Sequence, residues 1–174
     1  PGGGALQITT RGTLTVHGRI EAGGAGGAGG GEEGGGGGGG SGGGVLLEAD
    51  RLIVEAGALV AANGGGGGSG TGVGSSGFYT SNDGQRGEAR LTAAAGGADP
   101  GTYGCAGGIG NSASALLGGA VPCGDHADYY GGGGGGGAGR IRLNGNTLAV
   151  ARNTLSPADG APGTSTTTGV PHLR

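Results

Sequence analysis

Hydrophobic and polar residues alternate in several short segments of the chain. Leu14 and Val16 alternate with Thr13, Thr15 and His17. Ile141 and Leu143 alternate with Arg140 and Arg142. A period of two is typical of half-buried β-strands. No window of adequate length has an apolar period of 3.6 residues, so we expect essentially no α-helix.

Three of these segments align with one another and predict a repeat. They begin at Gly4, Gly44 and Gly139, and each contains a Leu-Xaa-Val tripeptide, at 14–16, 52–54 and 148–150. The spacings are 38 and 96 residues, so the third unit follows a large insertion. Internal repeats of this kind indicate stacked units that bury a shared core.

Two dipeptides predict reversals of the chain. Asn144-Gly145 lies between two strand-like runs, and both residues tolerate positive φ, so we expect a turn there. Glu32-Glu33 interrupts a long run of glycines and predicts a solvent-exposed reversal.

Glycine supplies 56 of the 174 residues and forms four tracts of nine to eleven residues, at 23–31, 34–44, 64–72 and 131–139. Unbroken glycine runs and only six prolines exclude collagen. The matched lengths predict extended threefold helices packed side by side, whose backbones pair because no Cβ separates them. Ala25 and Ala28 would then share one edge of a helix, and valine at Gly134 would force two backbones apart.

The composition argues against a conventional enzyme. The chain has no Met or Trp, only five aromatic residues, and few large aliphatic side chains. Ordering so many glycines is entropically costly, so an isolated monomer would be marginal and we expect an assembly.

Charge and hydropathy exclude two classes of partner. The net charge is −3, and the nine cations are unclustered arginines, so we expect no nucleic acid. The apolar stretch at 58–62 is far shorter than the roughly 20 residues that span a bilayer, so we expect no membrane span. The start at Pro1 suggests a processed mature form or an excised segment.

Cys105 and Cys123 are the only cysteines and flank one loop. A disulfide between them would stabilise the fold by roughly 3 kcal/mol and would favour an extracellular setting. The alternative is two unrelated buried thiols.

The insertion, at about 75–130, differs from the rest of the single glycine-rich repeat domain that we expect over 1–174. It contains every aromatic residue of the chain: Phe78, Tyr79, Tyr103, Tyr129 and Tyr130. Aromatic residues in loops above a rigid scaffold are typical of an interface or binding surface. The alternative is that they cover the ends of the bundle as local lids.

The sequence gives little support for a catalytic site or a metal site. Glycine-rich motifs occur by chance in this chain, and a phosphate-binding Walker loop needs a lysine, which is absent. Asp125, His126 and Asp128 offer only three metal ligands, whereas structural sites usually need four or more. Glu32 and Glu33 are adjacent and make a poor acid/base pair. We therefore expect no enzyme, no metal and no cofactor, with His17 and His172 exposed.

The segments LTVHGRIEA and LIVEAGALVAA lead into glycine runs that end in AGRIRL or SGGGVLL. This pattern, over about two thirds of the chain, resembles the glycine-rich repeats of large secreted bacterial surface proteins. The tracts also resemble the polyglycine II bundles of certain phage tail-fibre adhesins and glycine-rich antifreeze proteins. The resemblance implies an extracellular, non-catalytic role, although simple antifreeze bundles lack such strand units.

The sequence thus predicts an all-β fold in which repeated short strand units pack with a bundle of polyglycine II helices. Three functions follow from different features. The first is a structural subunit of an extracellular filament, self-associating through strand edges and through Tyr129 and Tyr130. The second is an adhesin whose aromatic loops bind a glycan or receptor, and the third, suggested by the threonines at 164–168, is an ice-binding protein.

Overall fold

The chain folds through the pairing of extended segments. The computed structural model describes residues 1–73, 79–111, 118–119, 123, 130–159 and 166–169. These ranges contain β-strands and no helix, which confirms the all-β class. Since they contain no helix, none could cross a membrane within them.

The strands are numbered in chain order. They are β1 (Ala5–Thr9), β2 (Thr13–Val16), β3 (Arg19–Glu21), β4 (Gly44–Val54), β5 (Leu59–Ala61), β6 (Gly72–Val73), β7 (Tyr79–Thr80), β8 (Arg140–Val150), β9 (Leu155–Ser156) and β10 (Thr166–Gly169). A five-stranded sheet has the order β1-β4-β8-β10, with β2 also paired to β4. A second sheet has the order β3-β5-β9, and β6 pairs with β7. Among the strand pairs of the described residues, only β6–β7 is antiparallel.

The three segments that align in the sequence lie side by side in the large sheet. Their Leu-Xaa-Val tripeptides, at 14–16, 52–54 and 148–150, are direct pairing partners in parallel strands. The spacings of 38 and 96 residues therefore coincide with the register of the sheet. In the second sheet, Val60 pairs with both Ile20 and Leu155.

Aliphatic side chains form rows across the large sheet. These rows are Leu6-Val45-Ile141, Ile8-Leu47-Leu143, Leu14-Leu52-Leu148 and Val16-Val54-Val150. On β8, Ile141 and Leu143 are fully buried while Arg140 and Arg142 are exposed, which confirms the predicted alternation. The buried members of the rows form the main hydrophobic core.

The turn predicted at Asn144-Gly145 is wrong. β8 continues from Arg140 to Val150 and pairs with β4 on both sides of this dipeptide. Asn144 is buried, and its Nδ2 donates to Oε1 of Glu48 at 2.7 Å. Pairing with a neighbouring strand therefore outweighs the local preference for a turn.

The two edges of the large sheet differ. On one side, neither β1 nor β2 pairs with a further strand among the described residues. On the other side, β10 pairs with residues 141–144 of β8 and covers that part of the edge. Residues 147–150 of β8 have no strand partner on that side within the described ranges.

The glycine tracts hydrogen-bond with a period of three. Along residues 65–71, successive N–H groups donate in rotation to carbonyls of three segments, at distances of 2.8 to 2.9 Å, namely 34–40, 82–85 and 105–108. We call residues 64–72 the central tract. Three other elements donate to carbonyls of residues 62–69, in this tract and just before it, namely 24–30, Gly97 and 133–139. Residues 61–72 are all buried, so this tract obtains its backbone partners from the surrounding chain.

The first two tracts form an antiparallel pair. The carbonyls of Ala22, Ala25 and Ala28 accept from the N–H groups of Gly43, Gly40 and Gly37. Ala25 and Ala28 thus share one edge, as the sequence predicts. The exposed Glu32-Glu33 dipeptide joins the tracts in a turn, with a φ of 51° at Glu33 and a 3.0 Å bond from Gly34 N to Gly31 O, which confirms the predicted reversal.

Parts of the predicted insertion join the same network of backbone bonds. Residues 82–87 bond to both 24–27 and 66–69, and residues 105–111 bond to the central tract and to 133–136. The segment between the second and third strand units therefore contributes to the bundle as well as carrying aromatic residues.

Most tract glycines lie too close to a neighbouring backbone to carry a side chain. A Cβ on Gly67 would overlap the carbonyl of Gly133, well inside the 3.0 Å that real Cβ atoms essentially never cross. Gly134 is different, because it is exposed and no described atom lies within 4 Å of a Cβ placed there. The expectation that a side chain at Gly134 would separate two backbones is therefore wrong, and Gly134 serves as a control.

We expect Gly67→Ala to destabilise the protein by about 1–3 kcal/mol or more, as overpacking typically does. Gly134→Ala should leave the free energy of unfolding within about 0.5 kcal/mol of the wild-type value or raise it slightly, because alanine restricts the unfolded chain. Chemical denaturation of the three proteins measures both effects. Equal unfolding midpoints for the two variants would contradict close backbone packing around Gly67.

Candidate functional site

Three of the predicted aromatic residues lie at one end of the glycine bundle. Tyr79 lies on β7, Tyr103 lies in the turn from Gly101 to Gly104, and Tyr130 immediately precedes the last tract. The Glu32-Glu33 turn lies at the same end, because Glu33 contacts Tyr79. We call the group Glu33, Tyr79, Tyr103, Cys105 and Tyr130 the aromatic end.

Tyr79 is about half exposed and is held by the first turn of the bundle. Its hydroxyl donates to Oε1 of Glu33 at 3.0 Å. This hydrogen bond, and then the negative charge of Glu33, raise the pKa of the Tyr79 phenol above its usual value. The neutral phenol is therefore the form that the folded protein favours.

Backbone bonds fix the other two tyrosines. Tyr130 N donates to Tyr103 O at 2.8 Å, and Cys105 N donates to Tyr130 O at 3.1 Å. Tyr103 has a φ of 71° and is 47% exposed, whereas Tyr130 is half-buried. The aromatic end thus presents Tyr79 and Tyr103 to solvent on a backbone that the bundle holds in place.

Cys105 and Cys123 form a disulfide, with Cα atoms 5.3 Å apart. Cys105 O accepts from Gly70 N of the central tract at 2.8 Å, so the crosslink ties residue 123 to the bundle. The closed loop is of a size that stabilises a fold by roughly 3 kcal/mol on the chain-entropy model. This confirms the pairing predicted from the sequence.

Several predicted residues lie outside the described ranges. They are Phe78, Tyr129, His172 and the possible metal ligands Asp125, His126 and Asp128. Within the ranges that the structure describes, no group of three or more His, Cys, Asp or Glu residues could hold a metal ion. His17 is exposed as expected, and its Nδ1 lies 2.7 Å from Oε2 of Glu55.

The open strand edge is a second candidate surface. Glu55 N donates to Val16 O at 3.1 Å, so Val16 uses its backbone groups toward β4. Because successive residues of a strand direct these groups to opposite sides, the N–H and C=O of Thr15 face away from β4. An unpaired row of this kind is a template for another strand.

A polar row crosses the face of the large sheet opposite the aliphatic rows, and its members Glu48 and Asn144 are buried. Oε1 of Glu48 accepts from Asn144, its Oε2 accepts from the Thr9 hydroxyl at 3.2 Å, and Arg142 Nε donates to Asn144 Oδ1 at 2.7 Å. The row links β1, β4 and β8 through side chains in register. These polar contacts thus add to the specificity of the strand register that the aliphatic rows on the other face set.

Sequence reasoning missed the polar residues that close the tracts. Asn63 Nδ2 donates to the carbonyls of Glu88 and Arg90, and its Oδ1 accepts from Ser156 at 2.7 Å. Asn111 Oδ1 accepts from Gly64 N at 2.5 Å, and the Thr71 hydroxyl bonds to the Gly31-to-Gly34 turn. In the sequence, such residues could be recognised as single polar residues at the point where a glycine run begins or ends.

It also missed the short segments that join the bundle. Gly84 and Gly87 lie three residues apart, as do Gly107 and Gly110, and a Cβ on any of them would overlap a neighbouring carbonyl. Glycine at every third position is the signal that identifies such segments.

Comparison of the chain with protein-family models, with curated proteins and with solved structures found no match.

The raised pKa of Tyr79 gives a pH-dependent prediction. The Tyr79–Glu33 bond should stabilise the fold fully below the ordinary tyrosine pKa of about 10 and be lost as pH rises through the higher folded-state value. Glu33→Gln should lower the pKa of Tyr79, whereas Glu32→Gln, whose charge has the smaller influence, should change it less. Ultraviolet absorbance of tyrosinate, followed as a function of pH, measures this pKa. For each protein, the curve of the matching Tyr79→Phe variant is subtracted to leave the contribution of Tyr79. Coincident Tyr79 curves for wild type and Glu33→Gln would contradict the assignment.

Proposed function

We propose that this protein is a non-catalytic structural subunit of an extracellular filament or surface assembly, and that copies associate through strand edges and the aromatic end. The observation that carries the proposal is the large sheet, in which strand units stack in parallel and in register. The stack stops at β1 and β2 without a further described partner. A stack of similar units with an open edge is a template for the next copy.

We infer that the glycine tracts are polyglycine II helices. In that conformation each residue turns the backbone by about a third of a revolution, so successive N–H groups meet different neighbours. The rotation of the donors at 65–71 among three segments supports this. The overlap that a Cβ would cause at most tract glycines supports it as well.

We infer further that the three strand units are structural repeats. The support is that their aligned tripeptides, at 14–16, 52–54 and 148–150, are partners in adjacent strands. A repeat architecture in which each unit contacts only its neighbours can be extended by another copy of the same surface.

The extracellular setting is supported by the Cys105–Cys123 disulfide. Disulfides persist in oxidising compartments and are rare in the cytosol. For a protein with few large apolar side chains, a covalent crosslink is also a substantial part of the stabilisation.

An adhesin remains the second candidate, and a specific feature favours it. A cavity of about 250 Å³ opens at the aromatic end and is lined by the phenol of Tyr79, by Glu32 and by the hydroxyl residues Thr71, Thr80 and Ser81. An aromatic ring beside acceptors and hydroxyls is chemistry suited to a sugar ring. In this role the bundle would serve as a rigid support for the ligand site.

Sedimentation tests the two candidates. We expect the wild type to form high-molecular-weight species at micromolar concentration and fibres in electron micrographs. Thr15→Pro should abolish them, because it removes an N–H that faces the open edge while the bonds of β2 to β4 remain.

Thr15→Val is the matched control, since it keeps the N–H and should still assemble. Circular dichroism checks that both variants are folded. A wild type that sediments as a monomer would exclude the filament and leave the adhesin.

A further inference from the structure

The strand β10 occupies the position where another strand unit would continue the stack. β1 pairs with β4, β4 pairs with β8, and β10 pairs with β8 on the opposite side from β4, all in parallel. Thr166 is the partner of Ile141, just as Leu6 is the partner of Val45. β10 thus stands at the place in the register that β1 of a second copy would take.

β10 is a weak occupant of that place. It has four residues, Thr-Thr-Thr-Gly, against the eleven of β8. Thr166 and Thr168 stand in register with Ile141 and Leu143, where the preceding units have aliphatic residues. Residues 147–150 of β8 have no described partner on this side, and Leu148 and Val150 are only partly buried.

The first strand unit of a second copy fits the whole edge. If a strand pair is added beyond β8 in the observed register, four aliphatic residues of the incoming copy lie opposite aliphatic partners. Leu6, Ile8, Leu14 and Val16 would then face Ile141, Leu143, Leu148 and Val150, respectively. Gln7 would lie opposite Arg142 and Thr9 opposite Asn144, so no like charges meet. Aliphatic cross-strand pairs of this kind contribute favourably to pairing.

We propose that β10 is a removable cap on the β8 edge, and that β1 and β2 of a second copy displace it. Pairing begins at residues 147–150, for which the structure describes no strand partner on that side, and proceeds toward Arg140, where β10 is displaced. The proposal rests on the self-association proposed above, for which it specifies the two contacting edges, their register and the step that limits growth. It requires no change within the aliphatic core.

Weakening or strengthening β10 tests the cap in the full chain. The double variant Thr167→Pro/Thr168→Pro removes two consecutive N–H groups. Because successive residues of a strand direct these groups to opposite sides, one of the two faces β8, and its loss weakens β10 and should speed assembly. Thr166→Ile/Thr168→Ile extends two aliphatic rows and should slow it. We expect each double variant to change the assembly rate by between about twofold and thirtyfold, because two cross-strand pairs contribute a free energy of that size. Light scattering measures the rates.

Cysteine crosslinking tests the register. Equal amounts of Gln7→Cys and Arg142→Cys proteins, mixed and mildly oxidised, should give covalent dimers on non-reducing gels, because these positions would be partners. Gln7→Cys mixed with Thr147→Cys is the off-register control and should give few dimers.

The outcomes separate the two proposals. If the wild type and every β10 variant stay monomeric, self-association fails and the cap fails with it. If the wild type assembles but the β10 variants assemble at its rate, the cap alone is wrong. Equal crosslinking in both cysteine mixtures would overturn the register.

Discussion

The requirement that buried peptide groups find hydrogen-bond partners controls this structure. The central tract, residues 64–72, is buried along its whole length, and apart from Ser69 and Thr71 it has no side chains with which to exclude water or to pack. Its partners are other stretches of backbone, and they can approach only where no Cβ intervenes. The high glycine content, costly in chain entropy, is therefore the condition under which this packing is possible.

Backbone pairing alone does not fix how the tracts align. A glycine tract that bonds with a period of three could slide by three residues and recover nearly the same bonds. The aliphatic rows of the large sheet remove this freedom, since a slip would take Leu47 and Leu52 out of register with their partners on β8. At the tract ends, Asn63 and Thr71 bond to specific carbonyls and fix the same alignment. Side chains thus set the register, and the glycines allow the backbones to approach.

Much of this arrangement could be predicted from the sequence, because its strongest signals are local. The alternation around Ile141 and the reversal at Glu32-Glu33 each depend on a few neighbouring residues, and the cysteine pairing follows from there being only two cysteines. The turn expected at Asn144-Gly145 failed because a partner strand far away in sequence holds that dipeptide extended. Gly134 could not be distinguished from Gly67, since the two differ only in what surrounds them.

The period of three also limits how such a chain can change in length. Along residues 22–28 every third carbonyl faces the second tract, while the N–H groups of Gly24 and Gly27 face the central one. Deleting one residue would rotate every later donor by about a third of a turn and point it at a different neighbour. Removing three residues from each tract of the hairpin would shorten that hairpin by one layer and leave the donors of the other layers facing the same neighbours. We therefore expect insertions and deletions in this architecture to be tolerated best in multiples of three and in matched pairs, much as a coding sequence tolerates them by codon.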